Sequence, residues 1–259
     1  MPEYVLDNDK PTAETMLNCL STVLDDFTTA RLTEAGVTEG ARCLEVGAGN
    51  GTIAAWLAER VGVNGMVLAT DIKPVHVRPH PRVLVLGHDI TTDELPAGQF
   101  ELVHARLVLA HLPRRREVLD RLAGALAPTG VLVVEEWGAW PGRVLCANDP
   151  GAAALYDRYH DALLRVFEGW GNDTGWAGRV HAAMTDAGLV DVDTAVYARS
   201  WRGGSPGCLL PVAVSAELRD HLVRVGLSEG DLDRLPALMA DPELVLLGNL
   251  TWSTIGRRR

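Results

Sequence analysis

Apolar positions along the chain switch repeatedly between a period near 3.6 and short continuous runs, the pattern of alternating helices and buried strands. Met16, Leu20, Leu24 and Phe27 recur at helical spacing, with Asp25, Asp26 and Arg31 on the other side, which predicts an amphipathic helix over residues ~13–33. Glu39-Gly40 ends that pattern. A first strand, Arg42 to Val46, follows, and Thr52 to Val61 places Ile53, Trp56 and Leu57 on one helical face before Gly62 to Gly65 close it. Met66 to Thr70, Val83 to Leu86, Phe100 to Val103 and Val131 to Val134 are short and apolar, as parallel strands covered on both faces should be. Val118, Leu119, Leu122 and Leu126 supply the helix before the last of them. Five β units with right-handed crossovers predict an α/β fold built on an open, doubly wound sheet.

After Glu136 the pattern changes. Trp137, Trp140, Tyr156, Tyr159, Phe167, Trp170 and Trp176 crowd into 40 residues of a chain that is only 5% aromatic. Part of this stretch is helical, ~152–167, with Tyr156, His160 and Phe167 along one stripe. Val180 to Gly188 predicts a helix ended by glycine, and the residues from Val190 alternate as an antiparallel strand would. Gly203 to Gly207 reads as a loop, ~211–240 as a helical segment interrupted by Pro236, and ~244–255 as one last strand. The expected organisation is an N-terminal helical region (1–40), a ligand-binding core (41–136), a cap insertion (137–175), a core helix and strand (176–202), a second cap insertion (203–242) and a last core strand (243–259).

Charge and composition narrow the partners. A formal net charge of -10 disfavours nucleic acid, which requires a basic face. The dense basic clusters, Arg114-Arg115-Arg116 and Arg257-Arg258-Arg259, read first as a helix start and a solvated end. Cys19, Cys43, Cys146 and Cys208 lie far apart with no zinc-like spacing, so no metal site is expected. The charged start MPEYVLDNDKP does not resemble a signal peptide, and no run of 18 apolar residues occurs; a cytoplasmic protein without a membrane partner is expected.

The chemistry concentrates between Arg42 and Asp71. Gly47-Ala48-Gly49-Asn50-Gly51 puts three glycines in five positions directly after a strand, a turn in which backbone can lie against a ligand. A dinucleotide turn wants G-x-G-x-x-G at a helix N-terminus. Here the spacing is G-A-G-N-G and Glu45 precedes it, which suits an ammonium or sulfonium ligand better than a pyrophosphate. Turn geometry alone would also allow a nicotinamide-dependent oxidoreductase.

With CLEVGAGNG (Cys43 to Gly51), the acidic Asp71, GHDI (Gly87 to Ile90), FELVHARLVLAHL (Phe100 to Leu112) and LAPTGVLVVEEW (Leu126 to Trp137) in this order, the sequence resembles the class I S-adenosylmethionine-dependent methyltransferases. The HAR…AHL segment, YVLDND near the start and the final TWSTIGRR look most like the actinomycete-type small-molecule enzymes of that family. The resemblance implies a mostly parallel, seven-stranded Rossmann-like sheet with an antiparallel last strand and a helical cap, and S-adenosyl-L-methionine as cofactor. It implies that Glu45, Gly47, Ala48, Gly49 and Gly51 wall the methionine part and that Asp71, with Ile72 beside it, takes the ribose hydroxyls. Asp89 would accept from the adenine amino group, Ile90 would pack on the ring, and His104, Ala105 and Arg106 would face the transferable methyl.

Methyl transfer from a sulfonium gains most from alignment and desolvation. If a base is needed, His104 is the first candidate and His160 the second, whereas His111 reads as an orienting or part-core residue. Trp137, Trp140, Tyr156, His160 and Trp170 are the expected substrate residues, for a small apolar or aromatic acceptor methylated on oxygen, in natural-product biosynthesis. The same residues would also be compatible with a peptide or protein chain end as acceptor, or with a cofactor-binding scaffold that does not methylate, and a homodimer is allowed.

Overall fold

A computed structural model describes residues 9–10, 12–138 and 143–259. In chain order the elements are α1 (Ala13–Ala35), β1 (Arg42–Val46), α2 (Thr52–Val61), β2 (Met66–Asp71), β3 (Val83–Gly87), β4 (Phe100–Arg106), α3 (Arg115–Ala125), β5 (Leu126–Trp137) and β6 (Arg143–Cys146). There follow α4 (Ala152–Gly169), α5 (Val180–Asp186), β7 (Val190–Tyr197), β8 (Ser200–Arg202), α6 (Pro206–Glu217), α7 (Arg219–Arg224), α8 (Glu229–Ala240), β9 (Val245–Leu247) and β10 (Thr251–Arg257). Single 3₁₀ turns occur at Leu109–His111 and Ala177–Arg179.

The main sheet has seven strands in the order β3-β2-β1-β4-β5-β10-β7. β1 pairs in parallel with both β2 and β4, β2 with β3 and β4 with β5, while β10 runs antiparallel to β5. The order reverses between β1 and β4, so the crevice at their C-terminal ends is where a ligand is expected in a sheet wound this way. That is the α/β doubly wound fold class read from the sequence.

Strand alternation sends neighbouring side chains to opposite faces. Cys43 of β1, Leu102 of β4 and Val131 and Val133 of β5 pack with Leu32 of α1 and Ile53, Leu57 and Val61 of α2. Leu44, Val46, Val103, Ala105, Leu132 and Val134 face the other way, against Val118, Leu119 and Leu122 of α3 and Met184 of α5. The same parity aims Glu45, His104 and Glu135 at the α1 side and Glu136 at the α3 side.

Two compact units divide the chain. One holds Asp25–Gly138, Gly175–Val196 and Thr251–Arg259, hence the main sheet up to the last residue of β7. The other gathers the described parts of Met1–Leu24, Ala139–Thr174 and Tyr197–Leu250, with α4, α6, α7, α8 and a small sheet of order β6-β9-β8. Inside this second unit Tyr159 donates its hydroxyl to the Pro211 carbonyl at 3.2 Å.

Four local expectations change. The loop expected over Gly203 to Gly207 ends at Ser205, because α6 begins at Pro206, a residue suited to a helix's first turn, and takes in Gly207. The single strand expected over ~244–255 is two strands in different sheets, β9 pairing antiparallel with β6 and β8 and β10 with β5. The helical segment expected over ~211–240 is three helices, broken at Leu218 and again around Gly226, with φ 103°, whereas Pro236 sits inside α8 and Pro211 inside α6. β5 reaches well beyond Val131 to Val134, from Leu126 to Trp137, with Thr129 at φ 64° where its pairing with β4 shifts register. Its polar ends hid it from a reading based on apolar runs.

Candidate functional site

Gly47, Gly49 and Gly51 adopt φ of 70°, 56° and 80°, the left-handed region that glycine alone enters at no steric cost. The N–H groups of Gly47 and Ala48 donate to the Thr70 carbonyl at 2.8 and 3.0 Å, tying the turn to the end of β2. Gly49 N–H donates to Asp71 Oδ2 and Lys73 N–H to Oδ1, each at 3.0 Å. The Asp71 carboxylate is thereby fixed at the strand end next to the turn. Burial raises its pKa, and the backbone donors pull against that shift.

Val108 and Val77 close the turn from outside. A Cβ on Gly47 would meet Val108 Cγ2 at 2.4 Å, and one on Gly51 would meet Val77 Cγ1 at 2.9 Å. Leu107, just before Val108, is itself in the left-handed region at φ 56°, a conformation that costs a branched side chain ~1–2 kcal/mol. The end of β4 is therefore bent sharply toward the glycine turn.

Asp89 sits in a tight local turn, its Oδ1 accepting from Thr91 N–H at 2.8 Å and from Thr91 Oγ1 at 2.6 Å. Ile90 is buried in the α3-side core and Ile72 is exposed.

On the α1 side three strands bring charged residues together. His104 is fully buried, with Nδ1 2.7 Å from Glu45 Oε2. Its Nε2 lies 3.6 Å from Glu135 Oε2, an ion-pair separation too long for a hydrogen bond. Burial alone would lower the His104 pKa, but the two carboxylates outweigh it and raise it to about 9, so the ring is a cation at neutral pH. Thr28 of α1 donates its hydroxyl to Glu135, and Arg106 donates to both Thr28 Oγ1 and Asp25 Oδ1 at 2.9 Å. The chain Glu45-His104-Glu135-Thr28-Arg106-Asp25 thus runs from beside the glycine turn into α1.

Among the expected substrate residues, Trp137 donates its indole N–H to Thr251 Oγ1 at 3.0 Å. In the second unit Tyr156 and His160 have ring centroids 6.4 Å apart on α4, and Trp170 meets His221 edge-on at 4.4 Å. His160 is buried and its pKa is lowered by that burial. Trp140 lies outside the described residues. Glu135, Glu136, Thr28 and Asp25 escaped the sequence reading. The adjacent Glu135-Glu136 at the end of the most apolar strand was the available signal.

Buried carboxylates flanking a left-handed glycine turn suit hydroxyl and cationic donors and repel phosphate. Known proteins agree with that chemistry. A family profile described as a methyltransferase domain matches residues 21–186. The chain belongs to this family, as a class I S-adenosylmethionine-dependent methyltransferase. The chain is 32% identical over 124 residues to Methyltransferase str2 of Strobilurus tenacellus, covering 46% of this chain and 44% of that protein. It is 31% identical over 174 residues to nocamycin O-methyltransferase of Saccharothrix syringae, covering 59% of this chain and 60% of the other. It thus spans about half the length of these curated relatives.

Among solved structures, phosphoethanolamine N-methyltransferase 2 of Haemonchus contortus, in complex with phosphomonomethylethanolamine and S-adenosylhomocysteine, superposes with a TM-score of 0.60 at 14% identity. That match covers 100% of this chain and 60% of the other, and at such identity it shows the shared fold. No described helix of the chain is long and apolar enough to cross a membrane.

Proposed function

We propose that the protein methylates an oxygen atom of a small, apolar or aromatic metabolite in natural-product biosynthesis, in the cytoplasm. The observation that carries the reading is the arrangement at the ends of β1 and β2. Asp71, oriented by Gly49 and Lys73, takes the ribose hydroxyls, and the glycine turn with Glu45 accommodates the methionine end. Asp89 and Ile90 take the adenine.

When bound, S-adenosylmethionine supplies an electrophilic methyl group on a sulfonium. The residues of this chain orient and desolvate. His104, enclosed by two carboxylates, is proposed to hold Glu45 in place as a cation at neutral pH, a positioning role in preference to that of a base. His160, kept neutral by burial, remains the candidate to accept the proton of an acceptor hydroxyl, and Trp137, Trp140, Tyr156 and Trp170 the candidates for acceptor binding. The aromatic enrichment of 137–176 and the similarity to nocamycin O-methyltransferase support this acceptor class.

The test is transfer of a radiolabelled methyl group from S-adenosylmethionine to a panel of hydroxylated aromatic and polyketide-like compounds, beside amines and short peptides. Label in an O-methyl ether or ester is the expected result. Label only in peptide ends would move the acceptor class, and tight S-adenosylhomocysteine binding with no transfer to any compound would support a non-methylating scaffold.

A further inference from the structure

Glu136 lies one residue beyond the Glu45-His104-Glu135 chain and on the opposite face of the sheet. It is buried, and its Oε1 accepts from Leu109 N–H at 2.7 Å and Ala110 N–H at 3.1 Å, the first amides of the 3₁₀ turn Leu109–His111. Arg115, at the start of α3, grips the same turn from its carbonyl side, donating to Leu109 O at 3.3 Å and Ala110 O at 3.4 Å. Two side chains, one accepting and one donating, are therefore committed to the backbone of one three-residue turn. That turn directly follows Leu107, held at φ 56°, and Val108, whose Cγ2 fills the space beside Gly47.

A buried carboxyl is a costly cap for a single turn, and a strained residue needs surroundings that hold it. Both costs are explained if the position of Val108 matters to the ligand site. We propose that Glu136 is a positioning residue for the methyl donor: its carboxyl, opposed by Arg115, locks the Leu107–Ala110 bend and so sets the wall that Val108 presents to the glycine turn. This rests on the reading of that turn as the donor site. The second oxygen, Oε2, is enclosed without a hydrogen-bond partner among the described residues. Burial, opposed by the backbone donors and by the charge of Arg115, pushes the carboxyl up to about 8. Glu136 is then neutral at pH 7, and a glutamine amide reproduces its shape and its accepting oxygen.

The experiment compares Glu136→Gln with Glu136→Met, a substitution of similar volume that offers the turn no acceptor. S-Adenosylhomocysteine binding is measured by calorimetry at pH 7 and folding by circular dichroism. Wild-type binding is checked first, because its absence would sink the donor-site reading, whereas its presence leaves only the role of Glu136 in question. Glu136→Gln should bind within about threefold of wild type, and folded Glu136→Met should bind at least about tenfold more weakly, the loss of two backbone hydrogen bonds being felt at the ligand. Equal affinity of Glu136→Met and wild type would overturn the proposal, as would a tenfold loss in Glu136→Gln. Should Glu136→Met not fold, hydrogen exchange on the wild type decides. The Leu109 and Ala110 amides should be protected without ligand and further protected by S-adenosylhomocysteine; failure of the ligand to change them would overturn the proposal.

Discussion

His104 shows how far a residue's role depends on what encloses it. A histidine at the end of the fourth strand reads from sequence as a base, yet two buried carboxylates make it a cation with a pKa of about 9. In the unfolded chain it would titrate near 6.5. The folded state therefore holds its proton between about 6.5 and 9, so the stability that the charge contributes is complete below about 6.5 and is lost as pH rises through 9. Glu136, raised to about 8 from an ordinary value near 4.5, acts in the same direction: the folded protein increasingly resists ionising it from 4.5 upward. Glu135, whose pKa is lowered because the pull of His104 and Thr28 exceeds the cost of burial, gives stability that is lost only as pH falls through the acid range. Urea unfolding midpoints should accordingly fall from pH 6.5 to pH 9, and His104→Gln should flatten that slope although it lowers the midpoint at pH 7. An unchanged slope in the variant would show that His104 is not the titrating group. The Glu45 and Asp71 positions were legible because both sit at strand ends in a recognisable order. Thr28 and Glu135 were not, since a hydrogen bond between residues 107 positions apart leaves no local trace.

At the scale of elements, the strand-turn-helix of β1 and α2 was readable because glycine spacing dictates backbone geometry. The bend after β4 was not, because Leu107 gives no sign of a left-handed conformation and owes it to the clamp of Glu136 and Arg115. The contact between the two turns makes a double-mutant cycle informative. Gly47→Ala meets two penalties, a left-handed φ of 70° costing ~1–2 kcal/mol and a Cβ 2.4 Å from Val108 Cγ2, an overpacking of ~1–3 kcal/mol. Val108→Ala removes the second penalty and leaves the first. Gly47→Ala should thus lower stability by ~2–5 kcal/mol, and adding Val108→Ala should recover part of it, measured as a positive coupling in urea unfolding. Strict additivity would mean that the two turns do not touch in solution. The split of the C-terminal stretch into β9 and β10 follows the same logic: one apolar period runs through both, and only their partners, β6 and β8 for one and β5 for the other, distinguish them.

For the whole molecule, charge and ligand chemistry point the same way. A chain of net charge -10 whose crevice holds the Asp71 carboxylate at the end of β2 repels a pyrophosphate twice, through the general field and through that local charge. S-Adenosylhomocysteine carries no phosphate, and a nicotinamide dinucleotide carries two such groups, so the two ligands separate methyltransferase from oxidoreductase without any knowledge of the acceptor. A ligand that binds only the native state stabilises it by RT ln(1 + [L]/Kd), about 2.7 kcal/mol at a hundredfold excess over Kd. For a chain of this size that corresponds to a rise in Tm of roughly 5–10 °C, since each kcal/mol is worth about 2–4 °C. S-Adenosylhomocysteine should produce this shift and NAD or NADP none. Asp71→Asn should abolish most of the shift, because an amide offers one accepting oxygen where the ribose diol requires two. A nicotinamide-induced shift equal to that of S-adenosylhomocysteine would mean that this carboxylate does not govern what the crevice admits.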